Sequence, residues 1–290
     1  MEIISSTLRG NIAGRGGNTG TSGTGGAGGS GGGIYHANGE ISLTNTTVVS
    51  NAAGARGMFS NSGTAGAGGR GGGIHLAGGE LSLHNSTLSG NAAGTNAVGG
   101  GIFNAGSVVV HNTILAGNTA AGAQRDFAGT AATGSHNLFG IGGQSGFVNG
   151  VDGNLVGTLA TPLDPRLGPL ADNGGPTQTL ALLPDSPALF AADAFAVLAS
   201  DQRGIVRPQG VAPDIGAFET EVNASVTLGN LEQVFGSTSP PTATTDPVDL
   251  DVLIFYNGST TFPTSTGTFD VRAVATGDGF FGGALDTLVI

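Results

Sequence analysis

The chain is 290 residues long with 56 Gly, no Cys and no Trp, and carries a formal net charge of -11. Glycine at this level without a strict three-residue period excludes collagen, while 38% hydrophobic residues exclude a wholly disordered chain. The missing Cys excludes disulfides, thiol nucleophiles and Cys-ligated zinc, and no run of about 18 apolar residues is present to cross a membrane. An acidic chain without basic clusters is a poor ligand for nucleic acid, because counterion release requires Lys and Arg.

The first element is a copied unit spanning residues 1–124. Gly-Gly-Gly-Ile begins at Gly31, Gly71 and Gly99, and each copy is followed by an apolar stretch closed by Asn: EISLTNTTVVSN ending at Asn51, ELSLHNSTLSGN at Asn91, SVVVHNTILAGN at Asn118. A partial copy, EIISSTLRGN, ends at Asn11. Within a copy Ile41, Leu43 and Asn45 alternate with Ser42 and Thr44, the period-two pattern of a strand. One such strand cannot bury its apolar face, but copies stacked about 4.8 Å apart bury a continuous column, which predicts an all-β fold, a right-handed parallel β-helix.

Two side-chain ladders are expected at its turns. One comprises Asn11, Asn51, Asn91 and Asn118; the other Asn45, Asn85 and Asn112, each amide bonding its neighbours above and below. The Gly-rich inserts, among them Ile12 to Gly33 with 12 Gly in 22 residues, read as flexible loops projecting from one side. Pairing of GGGI with apolar-x-x-Asn (Val48 to Asn51, Leu88 to Asn91, Leu115 to Asn118) resembles the repeats of autotransporter-type polymorphic outer membrane proteins. That resemblance implies a surface-exposed β-helix.

Residues 125–221 lose the repeat and gain Pro and acid. LDPRLGPLADNGGPTQTLALLPDSPAL, DQRGIVRPQG and APDIGAFE together resemble the choice-of-anchor Q domain of secreted bacterial proteins. Pro165, Pro169, Pro176, Pro184 and Pro187 predict irregular last rungs and a cap. Asp201, Arg203, Arg207, Asp214 and Glu219 form a mixed-charge group, read as ion pairs that hold the cap.

Residues 222–290 are Thr-rich alternating strands, with Asn257-Gly258 as a turn signal. YNGSTTFPTSTGTFDV and the closing TLVI are similar to the MBG-type repeat of bacterial surface proteins, which implies a small immunoglobulin-like sandwich.

Catalytic candidates are few. Glu40 and Glu80 share a position on successive rungs, a spacing near that of a retaining carboxylate pair, but Ser107 follows them and no Arg recurs at a fixed rung position. They read as solvated turn residues. His84 and His111 also align, without a third ligand at Thr44 or Ile4. Asp246, Asp249, Asp251 and Asp278 could offer loop oxygens to calcium but lack the spacing of a calcium loop; no cofactor is otherwise implied.

The sequence therefore predicts a non-enzymatic piece of a bacterial cell-surface or secreted protein acting in adhesion or display, with extracellular glycans or surface proteins as partners. The alternatives are a β-helix polysaccharide lyase or hydrolase and a purely structural spacer. Met1 falls inside a rung, so further sequence, including an export signal, is expected upstream.

Overall fold

A computed structural model describes residues 1–20, 23–59, 62–183, 185–194, 198–210, 212–221, 224–236, 239–246, 248–256, 260–277 and 280–290. Pro184, Asn257, Gly258 and Asp278 lie outside the described residues. No helix is present among those described, hence none long and apolar enough to cross a membrane. The chain divides into two compact units, residues 1–207 with 213–219, and residues 208–212 with 220–290.

The first unit is a parallel β-helix built from three sheets. One contains β1 (Glu2–Ile4), β4 (Glu40–Thr44), β7 (Glu80–His84), β10 (Ser107–His111) and β13 (Thr133–Ser135), in that order. The second runs β2 (Thr7–Arg9), β5 (Thr47–Val49), β8 (Thr87–Ser89), β11 (Ile114–Ala116), β14 (Leu138–Phe139) and β15 (Leu155–Val156). The third runs β3 (Ile34–His36), β6 (Ile74–Leu76), β9 (Ile102–Asn104) and β12 (Phe127–Gly129). Every neighbouring pair is parallel, in a register that superposes like on like: Ile41, Leu81 and Val108 in one column, Leu43, Leu83 and Val110 in the next. These columns, with Val48, Leu88 and Leu115 from the second sheet and Ile34, Ile74 and Ile102 from the third, form one buried core. The alternation seen in the sequence is thus the inside and outside of the helix.

Column-to-column superposition also fixes the corners. The residues that end β1, β4, β7 and β10 hand over to Ser5, Asn45, Asn85 and Asn112, all left-handed, with φ of 45°, 47°, 44° and 48°. Asn tolerates this conformation better than most side chains, because its short amide bonds locally.

The Gly-rich inserts correct the expectation of flexible loops. The insert of the first rung and that of the second each run out and back, and their strands lie against one another as a two-layered slab. Ala13, Gly16 and Thr19 donate backbone N–H to the carbonyls of Ala52, Ala55 and Met58. Gly26 and Gly29 donate to Gly17 and Gly14, Gly54 and Gly57 to Gly29 and Gly26, Gly66 and Gly69 to Gly57 and Gly54. A partner every third residue is the geometry of polyproline II, in which three residues make a turn. Glycine is required by contact: a Cβ on Gly57 would sit 2.1 Å from the Gly17 carbonyl oxygen, and one on Gly54 2.0 Å from that of Gly14. The inserts are glycine-rich because their backbones pack directly on each other.

The Pro-rich stretch corrects a second expectation. Beyond β15 the chain does not close the helix end but returns along the outside of the second sheet as a strap, including the antiparallel pair β16 (Leu167–Ala171) and β17 (Thr179–Leu182). Leu182, Ala188, Ile215 and Phe218 pack on Ile114, Ala116 and Leu138 in a second core. This explains why β5 and β11 are buried on both faces.

The second unit has two antiparallel sheets: β18 (Ser225–Gly229) with β19 (Thr242–Asp246), and β20 (Asp251–Tyr256), β21 (Thr268–Gly277) and β22 (Phe280–Val289) in order. Tyr256, Val271 and Leu288 form its core.

Candidate binding surface

Asn11, Asn51, Asn91 and Asn118 stand one above the other at one corner. Asn51 Nδ2 donates to Asn91 Oδ1 at 3.0 Å and Asn91 Nδ2 to Asn118 Oδ1 at 2.9 Å, while each Oδ1 also accepts the backbone N–H of the residue above. Asn11 makes the same bond to Asn51 at 2.9 Å. The column ends on Asp126, whose Oδ1 accepts from the N–H and Nδ2 of Asn118 and whose Oδ2 accepts from Ile141 N–H. An acid suits this place, because the last position needs acceptors only. Burial pushes the Asp126 carboxyl up to about 6, against the hydrogen bonds that favour its charged form.

The expected ladder of Asn45, Asn85 and Asn112 does not form. Asn45 Nδ2 donates to Ser200 O at 2.8 Å, Asn112 Oδ1 accepts from Asp193 N–H at 2.9 Å, and the buried Asn85 amide has no partner. At Asn45 and Asn112 the left-handed backbone goes with amides that bond the strap and not the neighbouring rung. The ladder at this corner sits one residue later: Thr46 N–H donates to Ser86 Oγ, Ser86 N–H to Thr113 Oγ1, Thr113 N–H to Asn137 Oδ1 and Asn137 N–H to Asn154 Oδ1. Hydroxyls and amides share the column, so no single letter repeats to reveal it.

The charged group lies within the strap. Arg203 Nε meets Asp201 Oδ2 at 2.8 Å and Arg207 Nη1 meets Glu219 Oε2 at 2.9 Å, all with side chains 4% exposed or less. Asp201 also accepts from the backbones of Arg203, Ile205 and Glu219, and Asp214 accepts from Phe190 N–H. Arg207 adds bonds to the carbonyls of Asp214 and Gly216. Carboxylates so enclosed hold loops together, and both oxygens of Asp201 are taken up by donors of the strap itself. Beside them Gln202, not singled out by the sequence, reaches from the strap to Thr47, Thr7 and Thr177.

Glu40 and Glu80 are register partners on exposed positions, and line a groove of about 500 Å³ with Glu2, Ser42 and Ser82. The residues lining it include no Arg or His. His84 and His111 stack with ring centroids 5.4 Å apart, and His111 Nδ1 pairs with Ser135. Burial and the neighbouring His111 hold His84 below its ordinary pKa. Asp246, Asp249 and Asp251 are exposed, and no cluster of three acidic or His residues capable of holding a metal occurs among the described residues.

On the third sheet the outward residues of β3, β6 and β9 are Tyr35, His75 and Phe103. Their rings form a continuous column, with centroids 5.1 and 5.0 Å apart and planes within 10°. Tyr35 is 58% exposed. The sequence carried the signal, since each residue directly follows a Gly-Gly-Gly-Ile motif, but it becomes legible only once the register is known.

Comparison with protein families matches residues 224–290 to the MBG domain. Comparison with curated proteins and with solved structures finds no match. The chain therefore joins a parallel β-helix to an MBG domain, a domain typical of extracellular proteins.

Proposed function

We propose that this chain is a non-enzymatic part of a bacterial cell-surface or secreted protein acting in adhesion or surface display, with extracellular glycans or surface proteins as partners. The observation that carries this reading is the MBG domain following a β-helix whose outward residues form continuous columns. Repetition at one strand spacing offers a ligand the same group several times over, which suits a polymer better than a small molecule. The resemblances to choice-of-anchor Q and to polymorphic outer membrane protein repeats support the same setting. Enclosure of the strap carboxylates and a Glu40–Glu80 groove lined without Arg or His favour adhesion over glycan cleavage.

The test is to incubate the purified chain with fluorescent cells and with acidic and neutral polysaccharides. Saturable binding without release of reducing or unsaturated ends is expected. Product release would replace this reading with a lyase or hydrolase, and an absence of saturable binding would leave a spacer.

A further inference from the structure

The rung inserts differ in length. Asn11, Asn51 and Asn91 are spaced by 40 residues, but Asn91 and Asn118 by 27, so the third insert is the short one. The slab built from the first two overhangs it, and a cleft of about 170 Å³ opens at the step, lined by Arg56, Arg70, Gly66, Gly68, Thr95 and Asn96 among others. Two arginines line this space, and no acidic residue does. The chain contains no Asp or Glu at all between Glu40 and Glu80. Arg56 Nε is buried and has no hydrogen-bond partner, although a buried charged donor left unbonded is costly. Arg70 carries its guanidinium 4.7 Å over the Phe103 ring, which joins the cleft to the column of Phe103, His75 and Tyr35. A volume below the usual range for drug-sized ligands suits one charged sugar unit at a time.

We propose that this step binds the oxyanion substituent, carboxylate or sulfate, of an acidic polysaccharide, Arg56 and Arg70 holding the anion and the adjoining ring column receiving the neighbouring sugar. Planar guanidinium donors match both anions, and aromatic rings take the C–H faces of sugars. The inference rests on the adhesion reading and supplies its ligand class.

The test is calorimetric titration of the intact 290-residue protein with a galacturonate hexamer, a chondroitin sulfate hexamer, sodium sulfate and maltohexaose. At least one acidic hexamer is expected to bind, more tightly than free sulfate and with affinity that falls as NaCl rises, while maltohexaose stays silent. Arg56→Gln and Arg70→Gln should each weaken binding at least ten-fold without shifting the unfolding midpoint. Should Arg56→Gln fail to fold, Arg70→Gln decides, since that side chain is exposed. Failure of both acidic hexamers to bind, sulfate binding as tightly as either, or variants that bind like the parent would each overturn the proposal. Cell attachment that survives both substitutions would overturn it while leaving adhesion standing; Arg-dependent hexamer binding without cell attachment would keep the site and remove the adhesin.

Discussion

Asn118 gives both its backbone N–H and its Nδ2 to one oxygen of Asp126, at 3.0 and 2.8 Å, so that a column of amides ends on a carboxylate 1% exposed. The native carboxyl titrates near 6, above the ordinary value of 3.8. The native state therefore holds a proton through a pH range in which the unfolded chain has released it, and stability falls as pH rises from 3.8 to about 6. A shift of this size corresponds to about 3 kcal/mol. Asp126→Asn should flatten that slope, but also lose stability at every pH, because its Nδ2 would confront Ile141 N–H. Urea denaturation of both proteins between pH 4 and 7 checks the slope and the offset; parallel curves would refute the titration.

Asn91 accepts two bonds from Asn51 and donates to Asn118 and Val48, all buried. Asn91→Ala strands donors and acceptors on both neighbouring rungs and should cost about 3–5 kcal/mol. Asn11 is exposed and donates only to the rung below, so Asn11→Ala should cost about 1 kcal/mol or less. Equal losses at the two sites, measured by chemical denaturation, would count against the ladder as a source of stability.

Gly57→Ala places a methyl carbon against the Gly17 carbonyl and should cost at least about 2 kcal/mol, opening the slab to protease. Gly14 has nothing within 4 Å of the added carbon, so Gly14→Ala should be neutral or slightly stabilising. Limited proteolysis with mass mapping separates the two, and early cleavage of the parent within residues 12–33 would argue against a packed slab.

Removing one member of the buried Arg207–Glu219 pair leaves the other charge without its partner. Glu219→Leu should cost about 3–5 kcal/mol, while the double change Glu219→Leu with Arg207→Met should recover a large part of it. A double-mutant cycle by denaturation reads the coupling directly. Strictly additive losses would show that the two side chains act apart.

The sequence by itself determined the rung. Alternation of Ile41, Ser42, Leu43 and Thr44, copied at Leu81 to His84 and Val108 to His111, permits one way to bury the apolar set, and that way is stacking. Local chemistry also made the MBG unit recognisable from YNGSTTFPTSTGTFDV. Less was legible wherever the deciding partner is remote in the chain. Asn45 and Asn51 look alike in a repeat, yet only the left-handed corner at Asn45 turns its amide to Ser200, 155 residues away. Glycine reads as freedom until another glycine backbone is known to lie against it, as Gly17 does against Gly57. Charges at Arg203 and Glu219 could close an end or strap a side, and the choice lay with the outer face of β5 and β11, whose burial requires a cover. Periodicity fixes which neighbours repeat, since it is a property of adjacent residues; the tertiary structure alone decided which unlike segments meet, because such contacts depend on complementary surfaces that form only after the rungs have stacked.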